Sequence, residues 1–146
     1  MVIPAGQTMK KISAILLTLA LAASLAACGE KSEPEFDQSA PATNGRAVAQ
    51  IPGLKLELGD SLAAYESGDK PRALAVLDHA YTQRFAIVVG ALEPADPALS
   101  ASLERSLSAQ IPDAIRAGGA RERVGGLVAR AQADLDRAAE TLRASG

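Results

Sequence analysis

The chain has one cysteine, one histidine and no tryptophan, and each scarcity closes a route. A single cysteine rules out an intramolecular disulfide framework. A single histidine rules out the paired-histidine zinc motifs of helical metalloproteases. Two tyrosines and two phenylalanines offer few platforms for stacking bases. With 15 basic against 17 acidic residues the formal charge is −2, and the basic residues form no stripe. Nucleic-acid binding is therefore disfavoured. The sequence also has no Gly-x-Ser-x-Gly elbow, no phosphate loop and no calcium-binding loop. Its serines have no histidine spaced to activate them, so the chain reads as a non-enzymatic protein.

Long apolar runs are equally absent. The longest, Ile12 to Ala27, is rich in Ala and Ser and falls short of the roughly 20 apolar residues of a transmembrane helix. Its setting gives it another meaning. Met9-Lys10-Lys11 precedes it, and Leu25-Ala26-Ala27-Cys28 closes it. A basic start, a short apolar stretch and small residues before a cut are the parts of a secretory signal peptide. Translation from Met9 fits that pattern better than translation from Met1, because Met1 to Thr8 carries no charge.

Leu25-Ala26-Ala27-Cys28 resembles the lipobox of bacterial lipoproteins. The resemblance implies a diacylglyceryl group on the Cys28 thiol, cleavage before Cys28 and acylation of the new amino terminus. The covalent lipid on Cys28 is then the protein's membrane anchor. It places the chain in the bacterial cell envelope, with the domain on the periplasmic side. Gly29 after the cysteine, rather than Asp, resembles the pattern that permits outer-membrane sorting in enterobacteria. Loss of Lys10 and Lys11 with the signal leaves 13 basic and 17 acidic residues, a formal charge of −4.

Three regions follow: a signal peptide over 1–27, a lipid-anchored linker over 28–50 and a helical domain over 51–146. Residues 29–50 are rich in Pro, Ser, Glu, Ala and Gln without an apolar period, the composition of a disordered tether. About twenty such residues span roughly 25 Å as a coil.

From Ile51 onward the pattern is helical. A first helix is expected over Leu54 to Ser67, with Leu58, Leu62 and Tyr65 on one face and Gly68 as its stop. Asp69 and Pro71 then form a cap-and-proline start for a second helix over about Lys70 to Leu92. Its apolar stripe is Ala73, Leu77, Tyr81, Phe85, Val88 and Leu92. Asp96-Pro97 repeats the start signal. Leu99, Leu103, Leu107, Ile111 and Ile115 then form an i, i+4 ladder, kinked by Pro112 and ended by Gly118-Gly119. A fourth helix spans Arg121 to Ala144, with Val124, Leu127 or Val128, Ala131, Leu135, Ala138 and Leu142 inward. Gly125-Gly126 marks either a close helix crossing or a frayed first turn. The expected fold is all-α, a four-helix up-down-up-down bundle. Tyr65, Tyr81 and Phe85 are expected to supply most of the core's bulk.

Few groups in this domain are candidates for metal chemistry. His79 is the only histidine, and helical geometry turns it about 100° from Asp78. Thr82, Gln83, Ala75 and Val76 lie one turn away and are poor ligands, so His79 reads as solvent-facing. Glu66 and Asp69 flank the first turn, and Glu93 and Asp96 the second. They read as solvated turn and cap residues. Iron or copper binding is left without an assigned metal site, and no other cofactor is expected.

The motif order Ala64-Tyr65-Glu66-Ser67-Gly68-Asp69, Ala80-Tyr81 with Phe85, Asp96-Pro97-Ala98-Leu99 and Ile115-Arg116-Ala117-Gly118 resembles the extracytoplasmic helical domain of Ftr-type iron permeases. The resemblance covers about Leu62 to Leu142. Ala86 stands where that domain has a glutamate, and the permease's membrane helices with their Arg-Glu-x-x-Glu motifs are absent. The resemblance implies an anchored accessory or binding module for iron or other metal uptake, with a membrane permease as partner. Tyr65-Glu66-Ser67-Gly68-Asp69 with Ala73 and Ala80 also resembles a tetratricopeptide turn. That alternative implies a structural or protein-interaction lipoprotein with no metal role. A step of about 34 residues from Ala63 reaches Pro97-Ala98-Leu99-Ser100 without a second Gly-Asp turn.

Overall fold

The computed structural model describes residues 43–146. Cys28, the signal peptide and most of the expected linker lie outside the described residues.

Four helices account for the described chain, which contains no strand. The first, α1 (Asn44–Glu66), begins ten residues before the expected Leu54 and takes in the last seven residues of the expected linker. Thr43 caps it, its hydroxyl accepting from the Arg46 N–H at 3.3 Å. The buried positions Ala47, Ile51, Leu54, Leu58, Ser61 and Tyr65 alternate steps of four and three, one helical face. That face outweighs Gly45, Gly53 and Pro52. Pro52 sits inside the helix, where it withholds a hydrogen bond from the Val48 carbonyl.

The turn after α1 is a Schellman closure. Gly68 takes φ +89°, its N–H donating to the Tyr65 carbonyl, and the Asp69 N–H reaches back to Ala64. Asp69 then caps α2, accepting from the Arg72 N–H at 3.0 Å.

Helix α2 runs over 70–95 as Lys70–His79, a π-helical turn Ala80–Phe85, and Ala86–Ala95. Asp96 ends it and caps α3, accepting from the Leu99 N–H at 2.9 Å. Helix α3 runs over 97–116 as Pro97–Arg105, a second π-turn Ser106–Gln110, and Ile111–Arg116. The chain continues through Pro112, and the irregularity expected at the proline lies in the π-turn just ahead of it. Gly118, at φ +65°, closes α3 with a second Schellman turn. The Lys70 ammonium lies against that turn, where the carbonyl end of a helix favours a cation.

Helix α4 (Arg121–Ala144) has the expected bounds. Val128, not Leu127, carries the inward position, and Leu127 is only partly buried. Gly125 approaches Leu62 of α1, where an added Cβ would sit 3.9 Å from Cδ2, and the helix is unbroken there.

Helix α1 packs chiefly on α2 and α4, and α3 packs on the same two. Leucine and alanine are the commonest residues of the core between them, with isoleucine and valine beside them. Leu54, Leu58, Leu77, Leu92, Leu103, Leu107, Ile111, Ile115, Leu135 and Leu142 are fully buried around Phe85. Tyr65 is buried too, but Tyr81 is only partly so. The aromatic residues therefore supply less of the bulk than their size suggested. No helix among the described residues is long and apolar enough to cross a membrane.

Candidate functional site

Two constellations of polar residues sit on α2, on either side of its π-turn. The first faces α1. Arg84 donates from Nε to Glu57 Oε1 at 2.9 Å and from Nη1 to Gln50 Oε1 at 3.0 Å. Gln50 is buried, and the Glu57 side chain is 15% exposed. His79 Nδ1 approaches the same Glu57 oxygen at 3.4 Å, while its own ring is 62% exposed. The other carboxylate oxygen, Glu57 Oε2, is closed off from solvent and has no hydrogen-bond partner.

Gly53 makes the space for this network. A Cβ there would sit 2.8 Å from both Cζ and Nη1 of Arg84. The absence of a side chain at position 53 lets the guanidinium lie flat against α1, between Gln50 and Glu57. Ser61 adds a second polar tie, donating to the Ala73 carbonyl at 2.8 Å with its side chain buried. At the end of α1 the Tyr65 hydroxyl donates to the Gly119 carbonyl in the α3–α4 turn.

The second constellation faces α3. Tyr81, from the π-turn of α2, meets Leu107 and Ser108, from the π-turn of α3, around a pocket of about 180 Å³. Leu74, Leu77 and Pro112 complete its apolar wall, and Asp78 and Arg116 complete its rim. Hydroxyls accompany both π-turns. Thr82 donates to the Asp78 carbonyl at 2.9 Å, and Ser108 to the Glu104 carbonyl at 2.7 Å. A π-turn shifts the backbone pairing from four residues back to five, and a hydroxyl four residues on can serve the displaced carbonyl.

Elsewhere, Lys55 of α1 pairs with both carboxylate oxygens of Asp136 on α4 at 2.7 Å. The same helices flank a wider cleft of about 580 Å³ beside Val48, Ile51, Pro52 and Ala139.

The residues singled out from sequence do not converge. Asp69 and Asp96 serve as helix caps, and Glu66 and Glu93 are exposed at their separate turns. His79 is largely exposed, as expected, although its contact with Glu57 was not anticipated. Among the described residues no three His, Cys, Asp or Glu side chains form a group able to hold a metal ion. The one acid and histidine that do meet share their site with the Arg84 guanidinium, which disfavours a second cation.

Sequence reading missed the Glu57–Arg84–Gln50 network because its members lie on two helices, 27 and 34 residues apart. The Gly53 gap beside Arg84 leaves no local pattern. The π-turns did leave one. Four residues of α-helix turn about 40° beyond a full circle, so repeated steps of four walk off the core face. Ala73, Leu77, Tyr81 and Phe85, like Leu99 through Ile115, take such steps in succession. Apart from the half-buried Tyr81, all of them are buried, which an extra residue absorbed in each helix allows.

No protein-family model matches the chain, and no match was found among curated proteins or solved structures.

Proposed function

We propose that this chain is a non-enzymatic lipoprotein of the bacterial envelope, anchored through Cys28 and presenting its helical domain as an accessory binding module. The observation that carries the reading is Leu25-Ala26-Ala27-Cys28 at the end of a signal-like segment. The geometry of the described residues supports the module's side of it. Their polar side chains hold helices to one another: Arg84 to Glu57 and Gln50, Lys55 to Asp136, Ser61 to the Ala73 carbonyl. Turns of three, one and four residues between the helices favour an up-down-up-down order.

Within this reading the partner is another envelope protein, and the permease resemblance favours one engaged in iron uptake. Within it the bundle serves as an accessory or binding module for iron or other metal uptake. The outer-membrane location remains part of the proposal through Gly29.

Cys28→Ser is the direct test. Metabolic labelling with palmitate should mark the parent protein and not the variant, and the variant should keep its signal segment uncleaved before position 28. A variant that is labelled and processed like the parent would overturn the anchor. For the module, capture from solubilised envelopes should recover a specific protein beyond an anchor-only control. Saturable binding of ferrous, ferric or cupric ions by the purified protein would move the assignment from partner binding to metal binding.

A further inference from the structure

The pocket between α2 and α3 brings an apolar wall and charges of both signs to one place. Each helix departs from α geometry where it meets the pocket, through Tyr81 on one side and Leu107 and Ser108 on the other. The departure in α3 has a local cause. Pro112 lacks the N–H that would serve the Ser108 carbonyl, and a wider turn ahead of it relieves the ring's pressure on that carbonyl. The departure in α2 has no proline within it or after it until Pro94. The four-residue spacing from Ala73 through Leu77 to Phe85 accounts for it. What this one achieves is visible: it directs Arg84 toward α1 while Tyr81 lines the pocket, with its ring stacked on Phe85 at 5.6 Å.

The pocket's chemistry narrows what it can take. Its floor and walls are Leu74, Leu77, Tyr81, Leu107 and Pro112, with Leu77, Leu107 and Pro112 buried. The site is a groove open to solvent with a volume of about 180 Å³, room for a single ring or a branched four-carbon group laid against its apolar wall. The rim carries one charge of each sign, Asp78 from α2 and Arg116 from α3. Arg116 donates from Nη1 to Asp113 at 2.8 Å, and a guanidinium has further N–H groups in its fork.

From this we infer that the pocket is a binding site for a small zwitterion with a compact apolar side chain, an α-amino acid of the leucine or phenylalanine class. The side chain enters between the two π-turns. The carboxylate meets Arg116 and the ammonium meets Asp78 at the mouth. The inference is independent of the lipid anchor and of any protein partner.

The test is titration of the full-length protein in detergent with L-leucine and L-phenylalanine by calorimetry, in the millimolar range. Tyrosine emission serves as a second readout, since Tyr81 lines the pocket and the chain has no tryptophan. Both amino acids should bind saturably, and L-alanine should bind at least tenfold more weakly. Asp78 and Arg116 are exposed, so Asp78→Asn and Arg116→Gln should fold like the parent by circular dichroism. Each should weaken L-phenylalanine by about tenfold, the loss of one charged hydrogen bond. Hydrocinnamate, which lacks the ammonium, should respond to Arg116→Gln and ignore Asp78→Asn. Absence of saturable binding would overturn the inference, as would equal affinity for L-alanine. Equal L-phenylalanine affinity in either variant would overturn it too.

Discussion

Replacing Arg84 by Met probes a charged network that lies partly inside the bundle. Methionine keeps an unbranched apolar stem but removes both donors. Glu57 Oε1 loses its bond at 2.9 Å, and the buried Gln50 loses the one at 3.0 Å. The carboxylate would be left with His79 at 3.4 Å on one oxygen and no partner on the other. Breaking a fully buried ion pair from one side costs about 3–5 kcal/mol, whereas an exposed pair is worth about 0.2–1. The Glu57 side chain is 15% exposed and that of Arg84 34%, so the cost should fall between these limits, at about 2–3 kcal/mol. For a domain of this size that lowers Tm by roughly 10 °C. The companion Glu57→Met/Arg84→Met variant removes both charges, and replacing a whole ion pair by apolar groups is often close to neutral. It should therefore be more stable than Arg84→Met, about 1–2 kcal/mol below the parent, because the buried Gln50 still lacks its donor. Urea unfolding followed by circular dichroism measures all three proteins, with unchanged m-values as the check on two-state behaviour. The reasoning fails if Arg84→Met costs under about 0.5 kcal/mol, the range of an ordinary surface change. It fails equally if the double variant is as unstable as the sum of the singles.

Two further expectations concern backbone positions and use the same unfolding assay. Gly53→Ala should destabilise the parent, because its Cβ would meet the Arg84 guanidinium at 2.8 Å, yet it should stabilise Arg84→Met by about 0.5–1 kcal/mol, the ordinary gain of Ala over Gly in a helix. Gly59→Ala, with nothing within 4 Å, should stabilise both backgrounds alike, and the same sign for Gly53→Ala in both would refute the fit. Deleting Thr82 from the π-turn should give a folded protein close to the parent in stability, since a π-turn is an α-helix carrying one extra residue. Deleting the exposed Ala133 from the regular helix α4 should unfold it, by turning Leu135, Ala138 and Leu142 about 100° off the core, and equal damage from the two deletions would refute the register argument.

The helices were legible where capping and periodicity agreed. Asp69-Lys70-Pro71 and Asp96-Pro97 start helices by supplying an oxygen to the first free N–H groups while the proline needs none. Gly68 and Gly118 end them because they take positive φ. The start of α1 was misread where two signals disagreed. Asn44-Gly45 and Pro52-Gly53 are turn-forming pairs, while Ala47, Ile51, Leu54 and Leu58 keep a helical face through them. Periodicity prevailed because burying that face against α2 and α4 outweighs a local propensity cost of a few kcal/mol.

The candidate sites were legible only through their backbone consequence. Nothing local in the sequence brings Arg84 to Glu57 or Asp78 near Arg116, because those meetings depend on how helices cross. The strict four-residue ladders are local, however, and they carry a constraint. In a straight α-helix, Leu99 and Ile115 would face directions about 160° apart, yet both are buried. An extra residue between them must therefore be accommodated, and Pro112 fixes where in α3. In α2 the ladder ends at Phe85 and resumes at Val88, a step of three, so the accommodation must lie at or before Phe85. The π-turn occupies Ala80–Phe85. A departure that the core's own spacing requires is not by itself a sign of function. What singles out the α2 turn is that its two half-buried residues, Tyr81 and Arg84, face different neighbours, one a pocket and the other a partly buried carboxylate. The Arg84 network and the α2–α3 pocket therefore rest on the same six residues of backbone.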